Sequence, residues 1–583
     1  MTRVAGGRRR WPWVVLVVVL AWLGVVGVLS LRVLSHIRNG EDAVRAAQAG
    51  IKASTITDPR SPDLLAPVVS DFGAAHGDLD NPLLAPVGAL PVIGRQLRSV
   101  RALASAAERV GIVGEAAVHQ ARAALQAPHA DGPQRLAAIR ALASAATTAD
   151  VELDRISLGP DRALLGPIRS RYEDFATRLA KVQAGLHRGA VAAQALSQLF
   201  AGPSHVLLMA ANNAEMRDGS GMFLSLIELD IDDGHITLGP VQSTEHFQLA
   251  PGAVPLTGGY ASPWGGYQAD VDWRNLGVTP RFDETGAMAA QMWQVKTGQP
   301  IDAVMSLDIA GVQALLGATG PVQAGGKTVS ASGVVPLLMH DQYLGVGVNA
   351  FNPANVARQE QLGRIADAAF AAIERGGYNA GSLASSLPLV VAGRHLMMWS
   401  KDPSMEADWT AAGVSGSLQA DTLLAAVQNM GANKLDYFLT TSSDIVVEPG
   451  PLATIVTVTV HLSNATPLGQ PAYIAGTGIA GEPPNTYRAY VTLTMPVSAF
   501  DISVDRTTEA QISGADGPVR TVAVLRDVGP GKSLTVTFTF SLPGAHGHLQ
   551  VESSARVPAA TISVPGGETV VTIPDDHRPR IEW

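Results

Sequence analysis

The chain has 583 residues, 46% hydrophobic and 16% charged, with a formal net charge of −9 and no cysteine. That length allows roughly two to four domains. The composition is too apolar for a disordered chain and not basic enough for a nucleic-acid binder, although a local basic pocket stays open. Without cysteine there are no disulfides, thiolate metal sites or cysteine nucleophiles, so core burial alone has to hold any exported part.

Residues 11–31, WPWVVLVVVLAWLGVVGVLSL, contain no charged side chain. As a helix they would rise ~30 Å, the depth of a bilayer core. A basic tail, residues 1–10, precedes them with Arg3, Arg8, Arg9 and Arg10. The positive-inside rule therefore expects a cytoplasmic N-terminus and everything from about residue 35 outside, a single-pass protein of the cell membrane held in the lipid bilayer. A cleaved signal peptide is the competing reading; the run is longer than a usual signal core and no Ala-x-Ala site follows it directly.

Residues 36–200 read as a helical stalk or bundle. Glu41 to Ile56, Gln96 to Gln126, Gly132 to Arg155 and Pro167 to Phe200 carry Ala, Leu and Val at three- and four-residue spacing, with Gly and Pro clusters between them. The proline-broken apolar segment Asn81–Arg98 is expected to pack on the bundle or to dip into the membrane surface. The region shows no catalytic constellation, so it serves as spacer, partner surface or plain structural bundle.

An α/β core is expected over residues 203–375. Val206 to Met209 reads as a strand, Asn212 to Asp218 as a polar loop, Met222 to Leu229 as a second strand, and Asp233-Gly234 as a turn into His235–Leu238. Helix Glu284–Thr297, strand Ile301–Leu307, helix Ile309–Leu316 capped by Asp308, and a strand from Pro321 follow, which implies a crossover sheet. A helix is expected over Asn352–Arg375. Residues 376–436 read as a helical bridge, with a capped helix over Asp421–Met430. From residue 437 to 583 the pattern switches to period two. Ile455–Val460, Tyr490–Met495, Val519–Arg526, Leu534–Phe540 and Thr569–Ile573 are strands of an antiparallel β-sandwich of immunoglobulin-like type. Asn464-Ala465-Thr466 matches a glycosylation sequon, His546-x-His548 reads as a surface turn, and Asp575–Trp583 as an exposed tail.

The candidate chemistry lies in the core. Arg217, Arg274 and Arg281 sit in or beside polar loops, and an arginine fork suits pyrophosphate oxygens bidentately. Asp218, Asp270 and Asp272 could hold a Mg²⁺ ion bridging those oxygens. Asn212, Asn213 and Glu215 could fix the loop or bind a sugar. The ordinary alternative is a set of loop salt bridges, Arg217 with Glu215 or Asp218 and Arg274 with Asp270 or Asp272. Trp264-Gly-Gly-Tyr267 could stack on a sugar or isoprenoid, or simply pack. Asp230, Asp232 and Asp233 read as a hairpin turn. No P-loop, Gly-x-Ser-x-Gly or His-Glu-x-x-His is present.

NNAEMRDGSGMF, then VDWRNLGVTPRF, IDAVMSLDIAGVQALLGATGPVQAGGKTV and GANKLDYFL together resemble the signature of a bacterial envelope family called domain of unknown function 4012. Its core is more distantly similar in layout to the LytR-CpsA-Psr family, membrane-anchored proteins that transfer glycopolymers from a polyprenyl pyrophosphate carrier to peptidoglycan. That similarity implies arginine and aspartate roles like those above, but the Arg-Ser-Asp-Thr and Pro-Arg-Asp patterns of the transferases are absent. Two functions follow as expectations. One is a surface-anchored phosphotransferase acting on a polyprenyl-pyrophosphate-linked glycan. The other is a non-catalytic protein that binds or scaffolds envelope glycan or a protein partner.

Overall fold

The computed structural model describes residues 11–51, 55, 56, 58, 60–345, 358, 360–478, 481–507, 509–566, 569–574 and 577–583. The basic tail 1–10, residues 352–357 and 359 of the helix expected over Asn352–Arg375 and the first two residues of the C-terminal tail lie outside them. The chain divides into two units, Met1–Ala127 with Arg140–Ala193, and Pro128–Ile139 with Gln194–Trp583.

In the first unit the helix that carries the apolar run does not stop at residue 31. It continues as one helix, α1 (Trp11–Gly50), and its stretch Leu20–Gly50 is long and apolar enough to cross a membrane. The helices α2 (Ala66–Leu79), α3 (Ala85–Gly88), α4 (Ile93–Gln126), α5 (Gly132–Asp154) and α6 (Gly166–Ala201) follow, the first residues of α5 and the last of α6 falling in the second unit; α4, α5 and α6 lie close to the expected bounds, the helix expected over Glu41–Ile56 is the end of α1, and α2 and α3 were not expected. α2 packs along α1 and α4. Val33, Ala75, Leu79 and Ala104 form one buried cluster, and Val68, Phe72 and Ala107 another. Small residues permit this approach: a Cβ on Gly40 of α1 would stand 2.7 Å from the Phe72 ring. Ion pairs decorate the bundle, among them Arg32–Asp78 at 3.3 Å and His76–Glu108 at 3.0 Å.

The second unit holds the core sheet. Its strands are β1 (Ser204–Met216), β2 (Gly221–Asp232), β3 (His235–Leu238), β4 (Gln242–Ser243), β5 (Ala303–Asp308) and β8 (Leu396–Ser400), in the order β3-β2-β1-β5-β8 with β4 beside β2. β1 and β5 pair in parallel, Val206 opposite Ala303, and the remaining pairs are antiparallel. The chain crosses from β4 through the short helix α7 (Gly258–Ala261) and α8 (Phe282–Thr297) to lay β5 parallel to β1. The strand expected at Pro321 does not extend this sheet; β6 (Val322–Ala324) pairs only with β7 (Lys327–Val329). α9 (Ile309–Thr319) is capped as expected, with Asp308 Oδ1 accepting from Gly311 N at 3.0 Å, and α10 (Ala331–Met339) follows. Helix Gln361–Glu374 lies in the described part of the helix expected over Asn352–Arg375.

The region read as a helical bridge is more varied. It supplies helices Ala380–Ala392 and Pro403–Ala412, the core strand β8 and a strand of the next sheet, β9 (Thr422–Asn429). The expected helix over Asp421–Met430 is thus a strand. A run buried on both faces has no period to read, and a short apolar run fits helix or strand equally well.

Two six-stranded sheets complete the chain. The first contains β10 (Leu439–Pro449), β11 (Ala453–Asn464), β13 (Phe500–Val504), β16 (Lys532–Pro543), β18 (Thr561–Gly566) and β19 (Thr569–Pro574), in the order β13-β16-β11-β10-β18-β19. The second runs β14-β15-β12-β9-β17-β20, with β12 (Tyr487–Pro496), β14 (Ile512–Asp516), β15 (Val519–Val528), β17 (His548–Val551) and β20 (Arg580–Glu582). Alternate residues of both, including Val456, Val458 and Phe538 from one and Val491 and Val522 from the other, share a single buried cluster. Asn464 is buried and donates to Val528 O at 2.8 Å, so the sequon is unavailable to a glycan. The tail, expected as an exposed strand or coil, contributes the edge strand β20, which pairs with β17, and His548 lies 2.9 Å from Asp421.

Candidate functional site

The polar segment Asn212–Met216 is not a loop. β1 runs through it to Met216 with a register shift after Asn212, and only Arg217–Ser220 make the turn into β2. Polar side chains can sit in so buried a strand because each finds a partner. Asn212 donates to the Tyr343 hydroxyl at 2.9 Å. Asn213 donates to Asp308 at 2.8 Å and to Ala555 O at 2.9 Å, and its carbonyl oxygen accepts from Ile309 N at 3.0 Å. Asp308 in turn meets His395 Nδ1 at 2.6 Å.

Glu215 pairs with Lys434 at 2.5 Å. Burial pushes its carboxyl up, but Lys434, Arg217 and Arg358 outweigh this and hold it below the usual carboxylate range. Lys434 belongs to the GANKLDYFL segment, and Asp436 of the same segment is a fully buried hub. Its two oxygens accept from Met216 N at 3.2 Å, Asn429 Nδ2 at 2.8 Å, the Tyr487 hydroxyl at 2.7 Å and Arg556 Nη2 at 2.9 Å. Two segments that read as separate parts of the sequence thus meet at the end of β1, where the core joins the C-terminal sheets.

The loops bearing the three arginines do converge. Gly219 N donates to Gly277 O at 2.9 Å, and a Cβ on Gly219 would stand 2.3 Å from Thr279 O. Each guanidinium, however, is turned to its own partners. Arg217 donates from Nη1 to Met216 O and Asn429 O, at 3.0 and 2.9 Å. Arg274 grips Asp272 bidentately, at 2.6 to 3.0 Å, with Glu245 at 3.8 Å, and the hydrogen bonds to Asp272 raise its pKa. Arg281 faces three carboxyls, Asp283 at 2.6 Å, Glu284 at 2.5 Å and Asp516 of β14 at 3.2 Å. Burial first, then Asp516, pushes Glu284 up to about 7. Arg394, buried and silent in the sequence, donates to Gly416 O and Pro280 O and so pins the same loop.

The aspartates do not form a metal cage. Asp270 accepts from Gly252 N at 2.7 Å, Asp272 is taken by Arg274, and Asp218 lies fully buried. Among the described residues no group of three His, Asp or Glu side chains could hold a metal ion, so the Mg²⁺ expectation has no cluster to rest on. Neither oxygen of Asp218 has a hydrogen-bond partner; the Thr492 hydroxyl lies near without reaching bonding geometry. Burial raises this carboxyl to about 8, with Thr492 and Arg217 offsetting only part of the effect. Trp264 is fully buried, edge-on to Tyr267 at 5.6 Å, and is a packing residue. A cavity of about 490 Å³ opens elsewhere, beside β13, lined by Phe500, Asp501, Ser513 and Arg520 among others.

Sequence reasoning missed Lys434, Asp436, Asp516, Arg394 and Arg556 as members of this network. Their signal is a long-range pairing, and only the GANKLDYFL segment stood out in the sequence at all. No curated protein and no solved structure matches the chain. Residues 201–343, from the end of α6 through β7 to Tyr343, match the family model described as protein of unknown function DUF4012.

Proposed function

We propose that this is a membrane-anchored envelope protein, single-pass with its C-terminal part outside, whose DUF4012 domain acts as a non-catalytic scaffold or binding module for envelope glycan or a protein partner. The observation that carries this reading is the buried hub at Asp436, where four donors from the core and the C-terminal sheets meet one carboxylate. A site built to grip a diphosphate keeps its arginines free for the ligand; here Arg274 and Arg281 are already neutralised by carboxyls. The uncharged run behind four arginines supports the anchor and its orientation. The two C-terminal sheets, packed through one apolar cluster, are best read as an immunoglobulin-like sandwich that displays the module.

The second reading, a phosphotransferase similar to the LytR-CpsA-Psr family acting on a polyprenyl-pyrophosphate-linked glycopolymer, is supported by the convergence of the Arg217 and Arg274–Arg281 loops. A titration of the full-length protein with farnesyl pyrophosphate, with and without Mg²⁺, separates the two. The scaffold reading expects no saturable binding and an Arg217→Ala variant with a lowered Tm. Saturable binding abolished by Arg217→Ala at unchanged Tm would replace it with the transferase reading.

A further inference from the structure

We infer that residues 82–93 form a lipid-embedded wedge beside α1, a second contact of this protein with the bilayer. The inference rests on the reading of α1 as a membrane anchor.

The segment, PLLAPVGALPVI, has no charged residue, while Asp78 and Asp80 precede it and Arg95 and Arg98 follow it. Two ties fix it against α1. Arg32 pairs with Asp78 just before the segment, at 3.3 Å. Trp22 Nε1 donates to Leu83 O, at 2.9 Å. Ten residues of helix separate Arg32 from Trp22, about 15 Å of rise. The chain therefore descends from the level of an ion pair to the level of the apolar run of α1, and α4 carries it back to Arg101, which pairs with Asp80.

A segment that merely packed on the bundle would bury its large apolar side chains. Here Leu83, Leu90, Val92 and Ile93 are 46–64% exposed, beside Leu20, Leu23, Val28 and Leu31 of α1, which are exposed as well. Both elements thus leave large apolar side chains uncovered by the rest of the unit. In water, four such side chains would each forfeit much of the stabilisation that burial gives. The occupant that covers both elements at once is the acyl region of the leaflet on the ectodomain side. Backbone groups are provided for, since Asn81 caps the short turn Pro82–Leu84 and Arg98 reaches back to Gly88 O at 3.3 Å. Arg32, Arg95 and Arg98 are exposed where long stems can carry their charges up to the phosphates.

The absence of cysteine allows single thiols to be placed freely. Full-length Val28→Cys, Leu83→Cys, Val92→Cys and Leu452→Cys are reconstituted in phosphatidylcholine vesicles. Each is tested for labelling by a membrane-impermeant maleimide and, once carrying a fluorophore, for quenching by nitroxides on the acyl chains. Leu452, 87% exposed in the β10–β11 turn, is the water control. The expected result is labelling at least tenfold slower at positions 28, 83 and 92 than at 452, with acyl quenching at all three. If position 28 is quenched while 83 and 92 label as fast as 452, the wedge is wrong and the anchor stands. Should position 28 also behave like 452, the anchor fails and takes the wedge with it. Slow labelling without acyl quenching at 83 and 92 would mean that protein covers the segment, which overturns the wedge.

Discussion

At the scale of single residues, the polar side chains around the end of β1 are the members of a closed network, and their removal is expected to be felt as stability. Lys434 is 8% exposed and pairs with Glu215 at 2.5 Å. Removing one partner of a buried pair strands the other charge, a cost of about 3–5 kcal/mol, whereas removing both often costs little. Lys434→Met should therefore lower the denaturation midpoint strongly, and the double variant Glu215→Leu with Lys434→Met should recover most of it. Equal losses in the single and double variants would show that the pair is not the source.

Asp218 gives a pH signature. Its carboxyl is raised from an ordinary 3.8 to about 8 by burial. The folded chain thus holds a proton that the unfolded chain releases at lower pH. The associated stability is fully present below 3.8 and is lost as pH rises through about 8. An Asp218→Asn variant, neutral throughout, should lose less stability across that window than the parent chain. Parallel pH profiles for the two proteins, from thermal melts, would refute the assignment. Glu284, raised to about 7, contributes in the same direction and is unchanged by the substitution.

At the scale of elements, β9 decides where the C-terminal sheets begin. It lies between β12 and β17, with Val427 opposite Val491. A fragment starting at Tyr437 lacks this strand and exposes the edge of β12, with its buried Val491 and Leu493. A fragment of residues 417–583 is expected to melt cooperatively, and one of residues 437–583 is not. Two indistinguishable melts would show that β9 belongs functionally to the core. The same strand shows the limit of pattern reading. Thr422–Asn429 is buried almost throughout, so it has no polar face to betray a period of two. The strands β11 and β16 do alternate, and these were legible.

At the scale of the molecule, a 40-residue helix, apolar at its start, opens the helical unit, and the second unit holds three six-stranded sheets. If α1 spans the bilayer, alkaline carbonate should leave the full-length chain in the membrane pellet, while a chain starting at residue 35 should lose the span. Release of the full-length chain by carbonate would remove the anchor.

Composition and periodicity determined the apolar N-terminal run, the helices of the first unit, the α/β character of residues 203–375 and the β-rich C-terminal part, because each is set by local burial and by spacing along the chain. The motif segments also marked where the network lies, since NNAEMRDGSG and GANKLDYFL both enter it. What those residues do was decided only by the tertiary structure. Arg281 has Asp283 and Glu284 close by in the chain, but its third carboxyl, Asp516, comes to 3.2 Å from a strand more than two hundred residues on. Asp436 reads as an ordinary acid until four donors from distant segments close on it. Whether an arginine or aspartate awaits a ligand or satisfies a neighbour depends on through-space distance and desolvation, and neither is written in the spacing of residues along the chain.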